Sequence, residues 1–232
     1  MSAEIEKPTL LLDRGRMRRN IGRMARKADK AGIVLRPHFK THQSAAIGEE
    51  FRPFGVSAIT VSSLDMAGAF ADAGWRDITI AFPVNPRQIV GINELAPRVR
   101  LHLLVEDLQT VRFLDAGLDS PVSVWIKVDT GSKRTGVSSG DPESVRALAQ
   151  GIADSKRLTF QGLLTHAGHT YRGGSPGEIE KIYRVSVEAM GRVREALERA
   201  GLTGVRVSVG DTPGCSLTED LGGVDEIRPG NF

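Results

Sequence analysis

The sequence predicts an α/β protein, a small (β/α)8 barrel, and three observations predict it. Eight apolar runs of strand length recur along the chain, and segments with apolar residues three and four apart lie between them. Several of these runs are apolar almost throughout, as in Ile78-Thr79-Ile80-Ala81-Phe82. Strands covered on both faces look like this, and parallel sheets are the common case. Strand–helix alternation implies right-handed crossovers, and eight such units in roughly 200 residues fit a closed ring. An open doubly wound sheet would place a GxGxxG turn after the first strand, and none occurs there.

The predicted strands are Val34–Phe39, Ala58–Ser62, Asp77–Phe82, Arg100–Val105, Val122–Val128, Thr159–Thr165, Val205–Val209 and Asp225–Arg228. Helical stripes run through Met17, Ile21, Met24 and Ala28, through Val145, Leu148, Ala149 and Ile152, and from Ile179 to Leu197. Ser175-Pro176-Gly177-Glu178 supplies an N-cap, a proline at the first helical position and a capping-box glutamate. Asp141-Pro142 and Asn85-Pro86 repeat the cap-then-proline pattern, and Gly32, Gly117 and Gly201 stand where left-handed helix ends are expected. Thr9–Asp13 (TLLLD) reads as a further strand, an edge whose partners lie outside this chain.

Composition narrows the function classes. Of 232 residues, 40% are hydrophobic and 25% charged, which excludes global disorder. The 26 glycines exceed the usual ~7% and point to many tight connections. A net charge of +3 gives no case for nucleic acid. The eight basic residues between Arg14 and Lys30 keep an apolar stripe among them and read as a solvated helix face. No apolar run is long enough for a membrane span and no signal peptide is read, so no membrane partner and a cytoplasmic location are expected. The single cysteine, Cys215, reads as a small buried filler.

Barrel active sites collect at the C-terminal ends of the strands. The first strand ends in Arg36-Pro37-His38-Phe39-Lys40-Thr41-His42, where Lys40 would feel desolvation and neighbouring positive charge. Both favour a neutral, nucleophilic amine of the kind that forms Schiff bases; the alternative is a solvated loop lysine. Loops after the last two strands often bind phosphate, and here they carry Gly210, Thr212 and Gly214, then Gly230 and Asn231. Asp211 opposes that reading unless its charge points away, and two tight turns remain the alternative. Arg134 lies in a Gly-flanked loop after the fifth strand. His38 and His42 are four apart, but no cysteine or carboxylate joins them at ligand spacing, so no metal site is expected within the chain. His102, in mid-strand, reads as a packed core residue.

These segments carry a resemblance. Arg36–His42 (RPHFKTH) resembles the lysine motif of fold-type III pyridoxal-phosphate (PLP) enzymes, closest to the D-serine dehydratase and D-threonine aldolase branch. Asp129–Gly136 (DTGSKRTG), His166–Tyr171 (HAGHTY), Ser208–Pro213 (SVGDTP) and Glu226–Phe232 (EIRPGNF) follow in family order, so the likeness covers nearly the whole chain. It implies a barrel of the alanine-racemase N-terminal type and a PLP-dependent lyase acting on small β-hydroxy D-amino acids, in a homodimer. Lys40 would be the Schiff-base lysine and would move the Cα proton. Arg134 would meet the cofactor's phenolic oxygen and Tyr171 its pyridine nitrogen. Ser208, Gly210, Thr212, Gly230 and Asn231 would hold the phosphate, with His38 also against the cofactor and His169 on the substrate side. Alternatives are an amino-acid racemase of the same fold and a non-catalytic single-domain PLP carrier. Family members usually have a small residue where Asp211 stands and a glutamate in the region of Met66-Ala67-Gly68. They continue past RPGNF into a β-domain that supplies a divalent-metal site and pairs with the N-terminal strand.

Overall fold

The computed structural model describes residues 6–232. Helix α1 (Arg14–Lys30) precedes β1 (Val34–Leu35), and α2 (Ala45–Glu49), β2 (Ala58–Val61), α3 (Leu64–Asp72), β3 (Asp77–Pro83), α4 (Ile89–Leu95) and β4 (Arg100–Val105) follow. Then come α5 (Leu108–Gly117), β5 (Val122–Asp129), β6 (Val137–Ser138), α6 (Pro142–Ala153), β7 (Leu158–Thr165), α7 (Pro176–Arg199), β8 (Arg206–Val209), α8 (Thr212–Leu217) and β9 (Glu226–Ile227). The ladders are parallel in the order β1-β9-β8-β7-β5-β4-β3-β2, with the short β6 added to β5 off this path. β1 and β2 meet through one bridge, His38 to Thr60. There the Thr60 N–H donates to Pro37 O at 2.9 Å and the Thr60 hydroxyl to Arg36 O at 3.0 Å. The ring is thus a nearly closed eight-stranded barrel with helices outside, as the alternation predicts.

The first and last strands are shorter than expected. Prolines 37 and 229 have no N–H to give a ladder. Pairing nevertheless continues past them, with Arg36 N donating to Ile227 O at 3.0 Å and His38 N to Pro229 O at 2.8 Å.

The helix signals act largely as read. Ser175, Asp141 and Asn85 each accept a backbone N–H within the first turn they open. Gly32 and Gly201 adopt φ of +67° and +88°, which L side chains avoid. Gly117 does not: it ends α5 inside the helix, and Leu118 beyond it is extended. The Asn93 amide donates to Gly117 O at 2.9 Å, so a side chain caps that end. A Cβ at Gly117 would lie 3.1 Å from Ile89, so close helix packing explains the glycine.

The expected strand Thr9–Asp13 carries no strand pairing. Asp13 instead caps α1, its Oδ1 accepting the Arg16 N–H at 2.8 Å, and Leu10 stands 99% exposed. The barrel strands pair with one another and leave this segment no edge among the described residues.

Strand alternation divides the core into two. Along β5, Val122, Val124, Ile126 and Val128 join the large cluster beneath the helices, whereas Trp125 packs with Leu104 and Leu164 in a separate inner plug. The rest of the interior is polar. Arg36 is buried, its Nε donating to Glu226 Oε2 at 2.6 Å and its Nη1 to Asp77 Oδ1. Glu226 Oε1 accepts from the Ser208 hydroxyl at 2.6 Å, and that hydroxyl accepts from Arg228 Nε at 2.7 Å. Arg228 Nη2 donates to Thr165 O. On the other side His102 Nε2 lies 3.1 Å from Asp77, and Trp125 Nε1 donates to His102 Nδ1 at 3.3 Å. His102 is therefore a core residue, but a hydrogen-bonded one. Burial opposes ionisation of Glu226, yet Arg36 and Ser208 hold its carboxyl below the usual range.

Removing one partner of a buried ion pair strands the others in a medium that cannot solvate them, at about 3–5 kcal/mol. Glu226→Ala is expected to lose stability on that scale in urea unfolding. A loss under about 1 kcal/mol, the range of an exposed pair, would show that the network is not structural.

Candidate functional site

An aromatic cluster fixes the Lys40 turn. Phe39 is fully buried, its ring 4.9 Å from Phe51, 5.0 Å from Phe70 and 5.2 Å from Trp75 between centroids. Such a ring buries enough area to pin the chain on one side. The residues on either side differ: His38 is buried, while Lys40 is exposed, near enough to Arg134 and Arg228 to feel their charge. Partial desolvation, then Arg134 and Arg228, lower the Lys40 pKa. Gln43 closes the turn at φ +48°, a left-handed conformation for a non-glycine residue.

Arg134 belongs to a loop that two carboxylates pin. Asp129 Oδ1 accepts the Gly131 N–H at 2.9 Å and Asp129 Oδ2 the Lys133 N–H at 3.0 Å. Glu106 accepts the Gly136 N–H at 2.6 Å. Gly136, at φ +106°, has no room for a side chain, since a Cβ would meet Lys127 O at 2.9 Å.

The last two strand ends meet each other. The Thr212 hydroxyl accepts the Gly230 N–H at 3.0 Å and the Asn231 N–H at 3.1 Å, while the Thr212 N–H donates to the Tyr171 hydroxyl at 3.3 Å. Three backbone N–H groups from two loops thus donate to the hydroxyl oxygens of Thr212 and Tyr171, the polarity an anion's oxygens would meet. The Thr41 hydroxyl donates to Gly230 O at 2.5 Å, tying this corner to the Lys40 turn. A Cβ at Gly230 would stand 3.4 Å from His38 O, and one at Gly210 3.0 Å from the Arg228 guanidinium. Asp211 does point away from this corner: its carboxylate is buried against Thr170 and Gly214.

Lys40, His38, Arg134, Gly210, Thr212, Gly230 and Asn231 therefore share one end of the barrel. Tyr171 joins them at the Thr212 side and is 53% exposed. His169 stands over the Arg134 loop, with its Nε2 3.4 Å from where a Gly131 Cβ would be. Ser208 lies deeper, and its hydroxyl is engaged by Arg228 and Glu226.

Two side chains at this end were not selected from sequence. His166 Nδ1 bonds Gly210 O, so that nitrogen carries the proton and Nε2 keeps a lone pair. Burial first, then Arg228, bring its pKa down to about 3; His38 falls to about 2 by burial, Lys40 and Arg228. Both imidazoles are neutral at physiological pH. Lys127 is buried in β5, where its Nζ donates to Val128 O at 3.2 Å. Burial, then Arg228, bring that amine down to about 8. The signal for both was alternation: Lys127 is in phase with Trp125 on β5, and His166, one residue past β7, is in phase with Leu164.

Cys215 is fully buried, and burial pushes its thiol up to about 12, an inert filler. Among the described residues no three His, Cys, Asp or Glu side chains gather at a metal-binding distance, and no helix is long and apolar enough to cross a membrane.

Residues 12–232 match the model of the alanine racemase N-terminal domain. D-threo-3-hydroxyaspartate dehydratase of Delftia sp. is 34% identical, over 98% of this chain and 61% of that protein. Its solved structure superimposes with a TM-score of 0.91 at 33% identity. D-serine dehydratase of Dictyostelium discoideum is 29% identical over 97% of this chain and 62% of its own length. The structure of D-threonine aldolase from Filomicrobium marinum matches with a TM-score of 0.91 and 26% identity, over 97% of this chain and 62% of that one. The chain thus spans about three fifths of these relatives.

A lysine whose pKa is lowered by burial withholds stability as pH falls. Both states are neutral above pH ~10.4, and the penalty develops as pH drops toward the folded value of about 8. Lys127→Met, which keeps the stem, is expected to melt higher than the parent at pH 7, with the gain shrinking toward pH 10. A gain independent of pH would show that the amine is not desolvated.

Proposed function

Since the chain belongs to the alanine racemase N-terminal domain family, we propose that it is the cofactor-binding barrel of a PLP-dependent lyase acting on β-hydroxy D-amino acids. One observation carries the reading. An amine whose pKa is lowered beside two guanidinium groups shares the barrel mouth with three convergent backbone donors. An aldehyde that also bears a phosphate needs both features, a nucleophilic amine and an anion cradle.

In this reading Lys40 would hold the cofactor through its aldehyde, and the N–H groups of Thr212, Gly230 and Asn231 would bind the phosphate. Gly210 leaves room beside them, and Ser208 acts from below by fixing Arg228. Arg134 would meet the phenolic oxygen; the Tyr171 hydroxyl, expected at the pyridine nitrogen, accepts the Thr212 N–H. When bound, PLP supplies an electron sink for the pair released at the substrate Cα. Lys40 would move the Cα proton, and its lowered pKa favours that role. His169 lines the substrate side. Neutral His38 and His166 add no charge to a mouth that already holds Lys40, Arg134 and Arg228. The names of the relatives favour a lyase over a racemase, because each acts on a D-amino acid with a β-hydroxyl. The resemblance assigns the family-type metal at the β-hydroxyl to a β-domain.

That completing β-domain is also the proposed neighbour of Thr9–Asp13. Leu10, Leu11 and Leu12 are 99%, 65% and 55% exposed beside a groove lined by Met17, His42, Phe51 and Phe232. Fusion to the β-domain of a relative is expected to protect backbone amides 9–13 from hydrogen exchange. Unchanged exchange would refute that placement.

The main test is spectroscopic and catalytic. Purified protein mixed with PLP is expected to acquire a visible band that Lys40→Ala abolishes. Pyruvate from D-serine, or an aldehyde plus glycine from D-threonine, would identify the lyase once the β-domain is supplied. Racemisation without cleavage would indicate a racemase, and cofactor without turnover a carrier. A band that survives in Lys40→Ala would overturn the assignment of the lysine.

A further inference from the structure

Asp211 stands where the family usually has a small residue, and the reading above gives it no task. The residue is 2% exposed and follows β8. Its Oδ1 accepts the Gly214 N–H at 2.5 Å and the Thr170 hydroxyl at 2.8 Å. The first bond caps the turn that Asp211 itself begins. The second crosses to another loop, because Thr170 lies in the turn after β7.

The neighbours of these two residues are the ones that matter. Tyr171 follows Thr170, Thr212 follows Asp211, and the Thr212 N–H donates to the Tyr171 hydroxyl at 3.3 Å. The Thr212 hydroxyl then receives the Gly230 and Asn231 N–H groups. One carboxylate oxygen therefore sits behind the point where three loops converge. The space is tight: a Cβ on Gly214 would lie 2.7 Å from Asp211 Oδ1 and 2.5 Å from the Tyr183 ring. Asp211 Oδ2 is buried without a hydrogen-bond partner. Burial raises the Asp211 pKa, while Thr170, Gly214 and Arg228 pull it back. Tyr183 of α7 and Cys215 of α8, the other titratable groups against it, have their own pKa values raised by burial. A cap alone needs no second bond to a distant loop, and an exposed cap would avoid this desolvation.

We propose that Asp211 is a positioning residue for the phosphate cradle, holding Thr170 and Gly214 on one oxygen so that the N–H groups of Thr212, Gly230 and Asn231 keep a common aim. The idea rests on the PLP reading. PLP and pyridoxal separate it from a general structural role, since both carry the aldehyde for Lys40 and only PLP carries the phosphate.

Binding of each to the purified protein is followed by absorbance titration. Asp211→Ala is expected to weaken PLP on the order of tenfold, the scale of one hydrogen bond to a charged group, and to leave pyridoxal unchanged. Asp211→Asn keeps a carbonyl oxygen for both donors and is expected to recover most of the loss. Thr170→Val, close in shape, removes the bond between the loops together with the hydroxyl's contact to Ala167 O within its own turn, and is expected to weaken PLP selectively by a smaller factor. It decides the matter if Asp211→Ala does not fold. Equal losses for PLP and pyridoxal, or an unchanged PLP affinity in Thr170→Val, would sink the proposal. Parent protein that gains no PLP band refutes the cofactor reading itself, and this inference with it.

Discussion

The guanidinium of Arg36 is the contact on which the rest of the barrel depends. The ring is weakest between β1 and β2, where a single bridge replaces a ladder. Arg36 directly follows β1 on one side of that seam and bonds Glu226 on β9 and Asp77 on β3. Its side chain therefore spans the gap that the backbone only partly closes. Such a buried pair is worth having only when every lone pair and proton is matched. Here Glu226 uses its second oxygen on Ser208, and Asp77 faces His102.

The same chain of contacts reaches the mouth. Ser208 passes the link from Glu226 to Arg228, whose guanidinium lies beneath Gly210 and holds Thr165 O. Burial, with a smaller part from Arg36, brings Arg228 down to about 10, yet it stays protonated at neutral pH. Together with Lys40, Lys127 and Arg134 it makes the mouth cationic. The carboxylates nearest the Arg134 loop, Asp129 and Glu106, spend their oxygens on backbone N–H groups. A low-dielectric cleft with surplus positive charge favours an anionic ligand and lowers the pKa of any amine within it. Closing the barrel and tuning its mouth are thus parts of one arrangement.

Loop geometry supplies the remaining order. Phe39 is driven into an aromatic cluster, and that burial sets the direction of Lys40. Hydroxyls of Thr41, Thr170 and Thr212 knit the loops after β1, β7 and β8 to one another and to the segment after β9. None of these ties is long or strong alone. Their effect comes from meeting at one corner, where small shifts of one loop move the donors of the next.

The sequence by itself determined the order of strands and helices, most helix caps, and the segments that would face the mouth. Those features are written within a few residues: alternation, 3.6-residue stripes, and a Ser or Asp before a proline. Motif order also placed Lys40, Arg134, Thr212 and Gly230 at one end. Tertiary structure decided the rest. Thr9–Asp13 has the composition of a strand, but a strand needs an edge, and the barrel offers none. Gly117 has the position of a left-handed cap, yet the Asn93 amide takes that carbonyl and Ile89 takes the space. Asp211 looked like a charge at the wrong place until its carboxylate was seen to turn inward. Arg36 and Glu226 stand 190 residues apart in the chain, and their pairing exists only because the barrel closes. Local pattern reports which surface a residue buries; which distant group it meets there is fixed by closure.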